Sequence, residues 1–315
     1  MIEPIIHPSA RPEDRRQAMI DDLASNRLPP AFLYESSAQS KRWLAVHEAY
    51  SPFVKDPDCT KIYEWIAGQI GVRVQGAGIH VVGLGCGSGV KDSMLLRHLE
   101  KPIYWPLDIS QELVLEAVFN SPASRNHPLV LDLARAKDIG NFINNQIPIG
   151  SRRIYTLFGI LPNFNPQMLS ELLLDILQSD DLLLLSANLA PGNSYAKAVD
   201  RIMAQYENSI TCEWLLGALG EINTPLSEGR LVFRQRKISG GLRKIEALWY
   251  FEHPYTFEFG GHQFTFESTD EIEVFYSIRH TLQKVREWIE SLGLTPLKYR
   301  LSDLGEEAVF LCQVS

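Results

Sequence analysis

The chain has 315 residues, 45% of them apolar, and a formal net charge of −8. That length supplies a substantial core for one large domain or two ordinary ones. A negative balance with no dense run of Lys and Arg excludes a nucleic-acid groove as the main function. The four cysteines, Cys59, Cys86, Cys212 and Cys312, stand far apart, which argues against a zinc site or a disulfide framework and for a reducing compartment. The N-terminus lacks an apolar signal core and no run approaches a membrane span, so the expectation is a soluble cytoplasmic protein with no membrane or nucleic-acid partner.

In chain order, residues 1 to 30 are polar and proline-containing and are expected to lie over the surface, with a helix at Asp21 to Leu28 ended by Pro29 and Pro30. The next stretch is dense in aromatics, with Phe32, Tyr34, Trp43 and Tyr50. Ile62, Trp65, Ile66 and Ile70 then form a helical stripe. The centre of the chain is IHVVGLGCGSGVKDSMLLRHL at Ile79 to Leu99. It reads as a buried strand, a glycine turn at Gly85, Gly87 and Gly89, and a helix, whose free N–H groups face whatever sits over the turn. A second strand, Ile103 to Leu107, ends in Asp108, and Ser110 reads as the N-cap of the next helix. Further strands are expected at Pro128 to Leu133, Arg153 to Phe158 and Leu182 to Ser186, with a helix at Met168 to Leu177. This alternation predicts an α/β, doubly wound parallel sheet with its ligand at the C-terminal strand ends.

From about Pro191 the texture changes. Helices are expected at Tyr195 to Tyr206 and Thr211 to Ile222, then β-type segments, with a hairpin across Gly260–Gly261. A strand at Glu271 to Ser277 and a helix at Thr281 to Leu292 follow. Pro296 to Leu301 and Ala308 to Val314 are expected to close the first sheet as an antiparallel pair, which makes the second unit an insertion.

A glycine loop followed by an acid about twenty residues on suits a nucleoside cofactor, because a carboxylate binds both ribose hydroxyls. The loop leans away from NAD, since position 90 is Val where G-x-G-x-x-G requires Gly, and toward S-adenosylmethionine (SAM). A nicotinamide-dependent oxidoreductase and a non-catalytic SAM-binding module remain as alternatives.

Several segments together resemble a family: LPPAFLYESS (Leu28 to Ser37), GLGCGSGVK (Gly83 to Lys91), PLDIS (Pro106 to Ser110), LPNFNP (Leu161 to Pro166) and QYENS (Gln205 to Ser209). The chain resembles the SAM-dependent amino-acid N-methyltransferases typified by the histidine Nα-methyltransferase of ergothioneine synthesis. The resemblance implies a class I (Rossmann-like) methyltransferase domain, residues 58–191 and 277–315, with an inserted α+β substrate-binding domain, residues 1–57 and 192–276. It implies that Gly85, Cys86, Gly87 and Lys91 hold the methionine part of SAM, and that Asp108 takes the ribose. Asp132 and Leu133 would flank the adenine and Tyr34 would cover the cofactor. Asn163 and Tyr206 would hold the acceptor's amino and carboxylate groups and act in catalysis, with Tyr50 lining the substrate site. No metal is implied.

Three positions depart from the family pattern. Cys86 stands where Ser is common, and Pro162 replaces the glycine before Asn163. The Glu-x-Ser pair that grips the histidine imidazole falls, in the ungapped alignment, on Phe275 and Ser277. That predicts an amine acceptor other than histidine, with a larger or less polar side chain. A slip of one or two residues would bring in Glu273 and restore the histidine alternative.

Overall fold

The structure, a computed structural model, describes residues 2–224 and 226–314. The N-terminal part forms β1 (Ile5–Ile6), α1 (Pro12–Leu23), α2 (Ser37–Tyr50), the short α3 (Pro52–Lys55) and α4 (Pro57–Arg73). An alternating stretch follows: β2 (His80–Leu84), α5 (Val90–Leu96), β3 (Ile103–Asp108), α6 (Gln111–Asn120), β4 (Arg125–Asn126), β5 (Leu129–Val130), α7 (Ile139–Asn144), β6 (Arg153–Leu157), α8 (Pro166–Ile176) and β7 (Leu182–Asn188). Next come α9 (Tyr195–Ile202), α10 (Ser209–Glu221), β8 (Gly229–Lys237), β9 (Arg243–Phe251), β10 (Tyr255–Phe259), β11 (His262–Phe266) and β12 (Glu271–Arg279). The chain returns through α11 (Leu282–Ser291), β13 (Leu294–Leu301) and β14 (Glu307–Val314).

The main sheet has the order β1-β5-β3-β2-β6-β7-β14-β13, with β4 beside β3. Neighbours pair in parallel except at β14, which is antiparallel to both β7 and β13. Both faces are covered, so β2 is buried throughout and mainly apolar. Val82 and Leu84 join a core with residues of α7, α8 and α11, while Val81 joins another with residues of α4 and α5. Gly83 interrupts this run because space is needed behind it. A Cβ there would lie 2.5 Å from Asp92 Oδ2. The Asp92 carboxyl is buried beneath the strands, where it accepts from Tyr104 Oη (2.5 Å) and Thr156 Oγ1 (2.6 Å).

A second unit is built on the antiparallel sheet β12-β9-β8 and the hairpin β10-β11, which turns at Gly260–Gly261. Its core takes Trp249, Phe251, Phe257 and Phe266 from strands, Trp214 and Leu215 from α10, and Met19 and Leu23 from α1. A bulge between Glu273 and Phe275 interrupts the β12–β9 register. Among the described residues no helix is long and apolar enough to cross a membrane.

The N-terminal segment departs from expectation. The helix runs over Pro12–Leu23 rather than Asp21 to Leu28. Pro12 starts it, and Glu13 and Asp14 occupy its first turn, where negative charge suits the dipole. Asn26, at φ 55°, then turns the chain, which lets Arg27 bridge to Glu273 and Leu28 N donate to the Glu273 carbonyl. The segment is not a surface strap, because Met19, Leu23 and Leu28 are buried and Ile5–Ile6 add a parallel strand beside β5. The strand expected at Pro128 to Leu133 shortens to Leu129–Val130, since Asp132 already begins a turn closed by Ala136 N to Asp132 O (2.8 Å).

Burial raises the Asp92 pKa to about 6 against its two hydroxyl partners. A carboxyl whose folded pKa lies above its unfolded value stabilises the fold at low pH, and that contribution is lost as pH rises through the folded value. Denaturant unfolding of Asp92→Asn followed from pH 4 to pH 7 is expected to show a shallower decline than the wild type on approaching about pH 6, since other buried carboxyls contribute the remainder. Parallel profiles for the two proteins would remove Asp92 as the cause.

Candidate functional site

The C-terminal ends of β2, β3, β5 and β6 and the inner face of the second unit enclose a cavity of about 1440 Å³. Every residue singled out from the sequence lines it: Tyr34, Tyr50, Gly85, Cys86, Gly87, Lys91, Asp108, Asp132, Leu133, Asn163, Tyr206, Phe275 and Ser277.

On the sheet side, the chain leaves β2 through Gly85 at φ 65°, where a Cβ would lie 2.3 Å from the Ile160 side chain. Only glycine combines that conformation with that approach. Asp108 at the end of β3 then fixes the loop. Its Oδ2 accepts from Gly87 N (3.0 Å) and its Oδ1 from Ser110 N (3.1 Å). The N-cap of α6 is Ser110, whose Oγ accepts from Leu113 N, so Asp108 is not consumed as a cap. A carboxylate has about four lone-pair sites, so Asp108 keeps capacity to accept from a ligand hydroxyl. Burial pushes the Asp108 pKa up, and the backbone N–H groups of Ser110, Gly87 and Ile109 oppose that. Asp132 accepts from Ala134 N (2.8 Å), and the neighbouring Leu133 N–H donates to no group among the described residues. A carboxylate acceptor beside a free N–H donor is the pairing an adenine edge, with its amino donor and ring-nitrogen acceptor, would need. The Cys86 thiol is pushed well above its usual pKa by burial, so it is an uncharged wall atom and not a nucleophile.

Lys91 is held in a second way. Its Nζ lies 3.5 Å from Glu307 Oε1 and over the rings of Phe53 and Tyr63, while Tyr63 also donates to Glu307. This anchors the cation at the cavity wall beside Gly159. His47, on α2, lines the same region, and burial together with the Lys91 charge lowers its pKa to about 4. Trp43 stands between His47 and Tyr34, at ring-centroid distances of 5.4 and 5.7 Å.

On the other side, Tyr34 joins the two halves. Its hydroxyl accepts from Asn163 Nδ2 (3.3 Å), and its ring packs against Trp43 and Trp214. Burial pushes its phenol pKa up, so it stays protonated at neutral pH. Tyr206 donates to Ser277 Oγ (2.8 Å) and accepts from Arg279 Nε (3.0 Å). Phe275 packs edge-on against Trp214, centroids 5.4 Å apart, and lies 6.1 Å from the Tyr206 ring. Glu273, before the bulge, also faces the cavity, but its carboxylate is bonded to Lys244. Tyr50 lines the cavity from the end of α2 and its hydroxyl has no partner among the described residues.

Sequence reasoning missed Arg279, Trp214 and His47. Arg279 follows Phe275 and Ser277 at the same alternate spacing on β12, so the period of two was the available signal. Trp214 reads as a core aromatic until α10 is placed against Tyr34. His47 carries no spacing signal.

A parallel sheet in this order, with β14 reversed, a glycine loop after β2 and an acid after β3, defines a class I SAM-dependent methyltransferase. The chain belongs to the family described as "histidine-specific methyltransferase, SAM-dependent", whose model matches residues 16–314. No curated protein matches it. Similar solved structures include a SAM-dependent methyltransferase from Clostridium acetobutylicum, at 11% identity and TM-score 0.46, covering 87% of this chain and 98% of that one. Another is the magnesium protoporphyrin IX methyltransferase of Synechocystis with bound S-adenosylhomocysteine, at 12% identity and TM-score 0.47, covering 90% and 97%. These likenesses are low in sequence and shape, and the assignment rests on the family match.

Replacing Asp108 by Ala removes the carboxylate expected to take the ribose and, with it, the tether on Gly87. Hydrogen bonds to charged groups are worth roughly 1.5–3 kcal/mol each, so SAM affinity is expected to fall at least about tenfold. Calorimetric titration measures this, and unchanged affinity would exclude Asp108 from the cofactor site.

Proposed function

We propose that this protein transfers a methyl group from SAM to the amine of an amino acid or related small molecule other than histidine, with residues 1–57 and 192–276 forming most of the acceptor site. The observation that supports this most directly is the aromatic wall at Phe275. An imidazole bound in such a pocket needs a partner for its ring N–H, which a carboxylate supplies by a charge-assisted bond. Here the wall is Phe275 against Trp214 and Tyr206, and Glu273 is engaged by Lys244. A buried unpaired N–H costs roughly 1–3 kcal/mol, whereas an apolar or aromatic side chain gains from burial and ring packing. The family is described as histidine-specific, so histidine is the acceptor this reading competes with.

When bound, SAM supplies a methyl carbon made electrophilic by its sulfonium. The protein's part is positional. A neutral amine must be held with its lone pair in line with that methyl, and such placement is worth roughly 7–11 kcal/mol. Asn163 and Tyr206 are suited to hold it, since both line the cavity and carry polar side-chain groups. Tyr34, whose hydroxyl accepts from Asn163, couples the cofactor side to that anchor. Its raised pKa makes it a positioning group rather than a base.

Two measurements test this reading. Tyr206→Phe and Asn163→Ala are each expected to lower methyl transfer at least about tenfold, the loss of one hydrogen bond to a charged or developing charge, while leaving SAM affinity nearly intact. Loss of SAM binding in proportion to activity would overturn the division of the cavity into two halves.

A panel of amino acids assayed with SAM is expected to show aromatic or apolar acceptors ahead of histidine. Phe275→Glu is expected to raise histidine turnover and lower turnover of the preferred acceptor. Efficient histidine methylation by the wild type with aromatic amino acids inert would overturn the specificity, and no turnover of any amine with SAM bound would leave a binding module.

A further inference from the structure

We propose that Arg279 is the counter-charge for a carboxylate on the methyl acceptor. The proposal rests on the acceptor site described above. Strand β12 presents Phe275, Ser277 and Arg279 at alternate positions, hence on one face, and all three line the cavity. Arg279 is only 6% exposed. Its Nε donates to Tyr206 Oη (3.0 Å) and one Nη to Gln205 Oε1 (2.9 Å), while Nη1 is buried with no partner among the described residues. Neither of those partners carries negative charge.

Several other buried charges are met by an opposite charge, while Asp92, Asp108 and Asp132 are held by hydrogen bonds without an ion pair among the described residues. Asp22 is met by Arg27 and Arg135, Asp181 by Arg153, and Glu246 by Arg234, Arg236 and Lys244. Arg279 has no carboxylate within ion-pair distance among the described residues. A buried guanidinium without an anion is costly, and an ordered water satisfies its N–H without neutralising it. A second orphan, the buried Thr211 Oγ1, belongs to a residue that also lines the cavity. A carboxylate supplies the guanidinium with acceptors as well as charge, and the planar guanidinium matches its geometry. Nη1 is shielded, so pairing requires a side-chain shift of the kind common on binding.

The carboxylate has two sources, the α-carboxylate of an amino acid or an acidic side chain. The test compares the best acceptor of the panel with its decarboxylated amine, its carboxamide, and aspartate and glutamate, in wild type, Arg279→Gln and Arg279→Lys. KM and kcat are measured separately, and acceptor binding is followed by calorimetry in the presence of S-adenosylhomocysteine.

Wild type is expected to favour the carboxylate form over its amine and amide by at least about tenfold in kcat/KM. Arg279→Gln is expected to erase that preference mainly by raising KM, and Arg279→Lys to keep part of it, with SAM affinity unchanged in both. Preference for the α-carboxylate form assigns that source, and preference for aspartate or glutamate assigns the side chain. Equal use of the acid and its amine by the wild type overturns the proposal without needing any variant, as does an equal loss on both in Arg279→Gln. Failure of every amine to turn over would instead overturn the methyl-transfer reading, and the calorimetric comparison of acid with amine would then still decide the role of Arg279.

Discussion

The cofactor half of the site depends on one carboxylate. Asp108 accepts the N–H of Gly87 with one oxygen and that of Ser110 with the other, so it ties the loop after β2 to the start of α6 across two adjacent strands. Register makes this possible, since β2 and β3 run parallel with Leu84 opposite Leu107, which brings the loop beside the acid. Burial makes the charge on Asp108 costly, and the surrounding backbone N–H groups offset that cost. The acid that organises the loop thus keeps lone pairs directed into the cavity for a ligand.

The proposed acceptor half is assembled from segments far apart in the chain. Tyr206 comes from the turn between α9 and α10, Ser277 and Arg279 from β12, Asn163 from the turn before α8, and Tyr34 from the N-terminal segment. These side chains form two short hydrogen-bonded groups, Tyr34–Asn163 and Ser277–Tyr206–Arg279, set in a frame of aromatic rings. Rings supply rigid walls with few torsions to order, so the polar atoms among them keep their directions. In the acceptor reading proposed above the same frame sets what the pocket accepts, because Phe275 can pack against a side chain but accepts no hydrogen bond from an imidazole.

The N-terminal segment joins the two halves. Ile5–Ile6 extend the main sheet, α1 packs into the core of the second unit, and Asp22 takes both Arg27 of its own segment and Arg135 beyond β5. Ser40 Oγ on α2 meets Ser110 Oγ at the start of α6 (2.8 Å). The stretch that carries Tyr34 is therefore fixed to both sides of the cavity.

The sequence by itself determined what short-range rules govern. The β2–loop–α5 unit followed from an apolar run and glycine spacing, the alternation of strands and helices from hydrophobic period, the hairpin from Gly260–Gly261, and the cap of α6 from Ser110. Asp108 and the glycines were legible because their spacing is local to one βαβ unit. The substrate-side candidates, and Tyr34 as the cover of the cofactor, came from resemblance to a family, since Tyr34, Asn163, Tyr206 and Phe275 carry no spacing signal of their own. Tertiary structure decided the rest, because it turns on pairings across more than a hundred residues. Asn26 ends α1 early so that Leu28 can meet Glu273, and Ile5–Ile6 become a strand only because Leu129–Val130 offer an edge. The bulge after Glu273 is defined by β9, and it sets Glu273 with Lys244 while the strand beyond it presents Phe275. Arg279 reads in the sequence as one more arginine at a strand end. Its burial beside Tyr206 with no carboxylate to pair with among the described residues is a property of the folded molecule, since both are set by what the rest of the chain brings around it.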